Sequence, residues 1–224
     1  MLTRGFALIP ALLLSAISAF AQGALSDSKI ASGLKEALQV GATNAVKLTG
    51  KPDGYFANPA IKILLPKNLR TVETGLRAVG YGPKVDSFIL SMNRSAEAAA
   101  PEAKKIFLDA ILSMSFDDAR KILSGSDTAA TDYFKQKTTP QLTTAFSPIV
   151  KKTMEQNSVT KQYEALTGKA QSLPFMKNEN LDITSYVTSQ ALNGLFYMLG
   201  QEEKKIRKDP AAQTTSLLKE VFGH

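Results

Sequence analysis

Cysteine and tryptophan are absent from the 224-residue chain, and its one histidine is the final residue, His224. Each absence removes a class of chemistry. Without Cys there is no thiol nucleophile, no thiolate metal site and no disulfide. A single terminal imidazole cannot supply the His ligands of a zinc or iron centre. No cofactor or metal is therefore expected. The lack of Trp removes the broad aromatic platform on which sugars commonly stack. A chain without disulfides must be held by its core alone, which about 200 residues can manage.

What is present begins with a leader. Residues 1–21 read as a secretory signal peptide: Arg4 supplies the positive start, Phe6 to Phe20 the apolar stretch, and Ala19-Phe20-Ala21 the small-x-small cleavage site. That apolar run falls short of the ~20 residues of a membrane span and contains Pro10. Gln22 follows where a lipoprotein would carry Cys. The expected organisation is a signal peptide over 1–21 and a single helical domain over 22–224, exported to the periplasm with no transmembrane segment in the mature chain. A cysteine-free exported chain suits a bacterial periplasm better than a disulfide-rich secretory route.

Hydrophobic residues make up 44% of the chain and charged residues 21%, the balance of a packed soluble domain. The formal net charge is +7, and loss of Arg4 leaves 26 basic against 20 acidic residues, still +6. Such a charge favours anionic partners, so an anionic envelope component or another periplasmic protein is the expected partner. The basic pairs Lys104-Lys105 and Lys151-Lys152 and the cluster Lys204 to Lys208 are dispersed, with no aromatics interleaved. Nucleic acid is not an expected partner.

Apolar residues recur at helical spacing along most of the chain. Ile30, Leu34, Leu38, Ala42, Ala45 and Leu48 form one stripe, stopped by Gly50 and Pro52. Residues 51–66 contain three prolines and a Pro-Asp-Gly turn, which predicts an ordered loop laying Tyr55, Phe56, Ile61, Ile63 and Leu65 over the core. Helices follow over Asn68 to Val79 and from Val85. Pro101 disfavours helix at Ala100, which predicts a break there, a single kinked helix being the alternative. Pro101 to Met114 carries apolar residues on two sides, with Leu108 and Leu112 opposite Ile106, Phe107 and Ala110, and reads as the central core helix.

Ser115 and Asp118 have capping-box spacing. A helix through Ala130, Tyr133 and Phe134 precedes one opened by Thr139-Pro140, with Pro148 kinking or splitting the latter. Ser158 starts a helix that Gly168 stops, and a loop with Pro174-Phe175 follows. Asp182 caps the longest helix, which reaches about Lys208, and a terminal helix spans Thr214 to Phe222. The predicted fold is all-α: a single-domain multi-helix bundle of about eight to ten helices with a proline-rich ordered loop at 51–66.

Several of these segments carry a family resemblance. The runs GLKEALQVG (33–41), KPDGYFANPAIKI (51–63), SMNRSAEAAAPEAKKIFLDAI (91–111), AATDYF (129–134) and EEKKIRKDPAAQTT (202–215) resemble the bacterial exported family catalogued as domain of unknown function 4197. The likeness covers essentially the whole mature chain and implies a helical exported domain without an assigned activity. Ser95 stands where the family more often has Ala.

One polar cluster is set in an apolar context. Asp86, Asn93 and Glu97 share a stripe opposite the apolar face of the Val85 helix, with Arg94 alongside and Leu90 between them. One reading is a solvated face with an exposed ion pair contributing ~0.3–0.5 kcal/mol. The other is that a second element covers the stripe, making Asn93, Arg94 and Glu97 a buried network or ligand site, joined by Asp109 or Asp132. Three functions follow. The first is a non-catalytic periplasmic binding or interaction domain using the groove beside the Val85–Met114 stretch. The second is a carboxylate-based hydrolase pairing Glu97 with Asp109. The third is a peripheral binder of anionic envelope surfaces.

Overall fold

The computed structural model describes residues 27–156 and 182–222. The leader over 1–21, the helix predicted from Ser158 to Gly168, the Pro174-Phe175 loop and His224 lie outside them. The regular elements among the described residues are all helical, without a strand. Their α-helices are α1 (Asp27–Gly50), α2 (Arg70–Ala78), α3 (Gly82–Ala99), α4 (Ala103–Leu112), α5 (Phe116–Leu123), α6 (Ala129–Gln156), α7 (Ile183–Lys208) and α8 (Ser216–Phe222).

The centre of the bundle is α7, packed against α1, α3 and α6. Its stripe of Val187, Ala191, Leu195 and Leu199 is buried, and Phe196 packs toward Phe107, whose ring meets Phe134 edge-on at 5.1 Å. Gly194 lets the 51–66 loop reach this core. A Cβ there would lie 2.5 Å from the Tyr55 ring, so only glycine lets Tyr55 be fully buried against α7. The Tyr55 hydroxyl donates to the Ala191 carbonyl at 2.6 Å. Tyr55, Ile61, Ile63 and Leu65 are buried and Phe56 packs beside them, as the loop reading predicts.

Three expectations require correction. Pro101 does not expel Ala100 from helical geometry: Ala100 stays at φ −54° and ψ −36°, and a 3-10 turn over Ala100–Glu102 carries α3 into α4. Both halves pack on α6, α3 also on α7 and α4 also on α1. Next, α4 buries one face only. Ala103, Phe107 and Ile111 are inside, whereas Leu112 is 75% exposed, so the central helix is α7. Lastly, α6 runs unbroken through both Pro140 and Pro148. Along the same helix Thr138, Thr139, Thr143 and Thr144 each donate to the carbonyl four residues back, at 2.6 to 3.0 Å. These bonds go to the carbonyls of Phe134, Lys135, Thr139 and Pro140, not to those of Gln136 and Thr144 that the prolines leave without an N–H.

Candidate functional site

The predicted cluster on α3 is covered by the 51–66 loop. Asn93 is fully buried: its Nδ2 donates to the carbonyls of Ile63 and Ile89, and its Oδ1 accepts from the Ile63 N–H, all at 2.8 Å. One turn on, the Glu97 carboxylate accepts the N–H groups of Tyr55 and Phe56 at 3.0 and 3.1 Å. Its second oxygen accepts from Arg94 at 2.6 Å, and Arg94 also reaches Asp53 at 2.8 Å. Asp53 holds a left-handed φ of 64°. Burial, with the Glu97 charge adding to it, pushes the Tyr55 phenol above its ordinary range. The hydrogen bonds of Asn93 and Glu97 thus fasten an otherwise unladdered loop to a helix.

The other predicted members lie elsewhere. Asp109 pairs with Lys105 at 2.6 Å on the exposed side of α4, and Asp132 is exposed on α6. Neither shares a hydrogen bond with the Asn93–Glu97 network. Asp86 pairs with Arg77 of α2, whose hydrogen bond holds its carboxyl below the usual range.

A second buried carboxylate joins helix ends. Glu203 of α7 accepts from the N–H groups of Ala130 and Thr131, both at 2.9 Å, and from the Thr131 hydroxyl at 2.8 Å. It therefore caps the positive end of α6 from across the bundle. Arg207, bonded to Glu203 at 3.0 Å, donates in turn to the Ile122 carbonyl near the negative end of α5 at 2.8 Å. The i, i+4 pairing of Glu203 with Arg207 is readable from the sequence, but its burial is not.

A concavity lies between α6 and α7. It is a groove of about 330 Å³ lined on one side by Lys135, Thr139, Thr143 and Ser147 of α6, and on the other by residues of α7. Those are Ser185, Thr188, Ser189 and Asn193, with Leu192 and Phe196 in the floor. The four α6 residues fall at four-residue steps and share one helix face. Since Glu203 meets the start of α6, the helices run antiparallel, which puts Lys135 at one end of the groove and Ser185 at the other.

Thr188 is the anomaly in this lining. Its residue is only 3% exposed, and its hydroxyl oxygen has no hydrogen-bond partner. Six other helical threonines, at 49, 74, 138, 139, 143 and 144, return their proton to the carbonyl four residues back. Thr188 forgoes that bond. A buried hydroxyl without a partner costs about 1–3 kcal/mol, and the Thr188 oxygen, itself covered from solvent, lies beneath the lining rather than at its surface. The sequence signal was the hydroxyl stripe 139–143–147 facing its counterpart at 185, 188 and 189, legible only once the two helices are known to pair.

The described walls of the groove are polar. Among the described residues no carboxylate lines it, and no three His, Cys, Asp or Glu side chains converge. Neither does any described helix have the length and apolarity to cross a membrane. No curated protein and no solved structure is matched by the chain. A family model described as protein of unknown function (DUF4197) matches residues 24–223. With nearly all of its length inside that match, the chain belongs to this family.

Proposed function

We propose that this protein is an exported, non-catalytic binding domain of the bacterial periplasm, and that its ligand lies in the groove between α6 and α7. The observation that carries the reading is the concavity itself, about 330 Å³ with hydroxyl-bearing walls from two helices over an apolar floor. Ligand sites are typically concavities of about 300–1,000 Å³ with a few convergent polar groups over an apolar floor, and this groove fits the lower end of that range. By contrast, Glu97 and Asp109 belong to separate hydrogen-bond networks, so the geometry does not favour the hydrolase reading.

A ligand that binds the native state raises its melting temperature. The reading predicts that small polar ligands raise the melting temperature and shift the backbone resonances of Thr188, Ser189 and Asn193 above all others. Shifts confined to another face would defeat it. Export is tested by deleting residues 1–21, which should leave the protein in the cytoplasm. A peripheral attachment to anionic envelope surfaces is the second reading, favoured by the net charge of +7. It predicts co-sedimentation with anionic vesicles that weakens as salt rises; binding indifferent to salt counts against it.

A further inference from the structure

The positive charge of the chain is unevenly placed, and its placement deepens the second reading above, peripheral attachment, on which this inference rests. Residues 59–86 hold five basic residues against two acidic ones, a net +3. That is half of the +6 expected for the mature chain, in about one-seventh of its length. Both acidic residues face a single cation: Glu73 and Asp86 bond Arg77 at 2.9 and 2.7 Å. Lys62 lies over the Phe56 ring. Lys67, Arg70 and Lys84, all exposed, remain to act on what lies outside.

The fold turns these cations outward. On α2, Val72 and Leu76 are buried against α3. At 100° per residue Arg70 and Arg77 fall on the opposite side, and Lys67 of the preceding 3-10 turn continues that stripe. Two apolar side chains project beside the cations. Leu64, three residues before Lys67, is 46% exposed, and Val79 in the α2–α3 turn is 68% exposed. The turn stands clear of the other described residues: Gly80 takes a φ of 86°, and a Cβ there or at Gly75 would meet none of their atoms within 4 Å.

Each end of α2 thus groups a cation, an apolar tip and a tyrosine. At one end the Tyr186 hydroxyl of α7 donates to the Leu64 carbonyl at 2.8 Å, and the Arg70 charge acts on the same phenol. Asp182, one turn earlier on α7, is engaged in capping by the N–H and hydroxyl of Ser185. At the other end, beyond Val79, the Lys84 ammonium lies 5.2 Å from the centre of the Tyr81 ring. The nine residues of α2 separate the two groups by about 14 Å at 1.5 Å per residue. That spacing suits an extended surface rather than a small ligand. In the headgroup layer of an anionic bilayer, Lys and Arg meet phosphates, tyrosine rings sit at the interface and apolar tips reach the first acyl carbons. A soluble acidic polymer would use the charge but leave Leu64 and Val79 in water.

We infer that the lobe formed by residues 59–86 is the surface that attaches this protein to an anionic phospholipid bilayer. Lys67, Arg70 and Lys84 contact the head groups, and Leu64 and Val79 insert shallowly between them.

Co-sedimentation of the purified mature protein with vesicles of equal parts phosphatidylglycerol and phosphatidylcholine tests this, with pure phosphatidylcholine vesicles and soluble heparin as controls. The variant Lys67→Gln/Arg70→Gln/Lys84→Gln should lose ~100-fold in affinity for the anionic vesicles, about 5-fold per charge, at an unchanged melting temperature. The same loss of charge in Lys204→Gln/Lys205→Gln/Lys208→Gln lies about 27 Å along α7 from Tyr186, beyond the ~10 Å reach of charge at 0.1 M salt. It should cost less than ~5-fold. Because the chain has no Trp, Val79→Trp supplies a single fluorescent reporter. Its emission should shift to the blue on anionic vesicles, whereas that of Leu112→Trp, on the exposed side of α4, should not. Equal losses from the two triple variants would leave peripheral attachment standing and remove this lobe as its surface. No sedimentation with anionic vesicles defeats both. Tighter binding to heparin than to the vesicles, without a blue shift at Val79→Trp, overturns the lipid and assigns the lobe to an acidic polymer. Equal sedimentation with pure phosphatidylcholine overturns the part given to the cations.

Discussion

Asn93 and Thr188 show how differently two buried polar side chains can behave. Asn93 meets the backbone with its carbonyl and both amide protons, so Asn93→Ala leaves the Ile63 N–H and C=O without partners. A loss of at least about 2 kcal/mol is expected in urea unfolding, from roughly 1–3 kcal/mol for each orphaned buried group. Thr188 has no partner, and Thr188→Val, which keeps the shape and removes the hydroxyl, should hold or raise the melting temperature of the free protein. A clear fall would mean that the hydroxyl is already satisfied. Gly194→Ala gives the steric counterpart. Its Cβ meets the immobile Tyr55 ring at 2.5 Å, and overpacking of this kind typically costs about 1–3 kcal/mol.

Among the elements, α5 is the clearest case of local sequence deciding local structure. Ser115 accepts from the Asp118 N–H at 3.1 Å, and Asp118 accepts from the Ser115 N–H at 3.2 Å, closing the reciprocal box. Ser115→Ala should cost about 1 kcal/mol. Hydrogen bonds from the Ser115 side chain, then from its backbone, hold the Asp118 carboxyl below the usual range. Its folded pKa is depressed, so the stabilisation is complete above the unfolded value of about 4 and is lost as pH falls through the folded one. A pH series of melts should therefore show wild type losing part of its advantage over Asp118→Asn below about pH 4.

The caps at Ser115 and Asp182, the stop at Gly50 and the stripe of α1 are all local chemistry, and the sequence displays them. The continuity of α6 is not, because a proline forbids one hydrogen bond without forbidding the helix when tertiary packing supports it. Nor does the outward turn of Leu112 follow from periodicity, which marks apolar faces but not which of two will be covered. Asn93, Arg94 and Glu97 stood out as a cluster; that their partner is the 51–66 loop depends on contacts between segments some 30 to 40 positions apart.

At the scale of the whole molecule, α8 closes the bundle over α1 and the end of α7. Leu218 is fully buried with Ala37 and Ile206, and Phe222 packs beside them. Truncation before Gln213 should lower the melting temperature by several degrees and increase dye binding to apolar surface, while leaving ligand binding in the α6–α7 groove measurable. The loop clamp on α3 has a consequence in time as well as in energy. The amide protons of Tyr55, Phe56 and Ile63 are held by side chains of α3 rather than by a ladder of their own. Exchange of these protons with solvent requires the loop to lift from the helix. Three probes spread along it should then share one opening rate, so the segment would leave and return as a single cooperative flap, ordering only after α3 has formed.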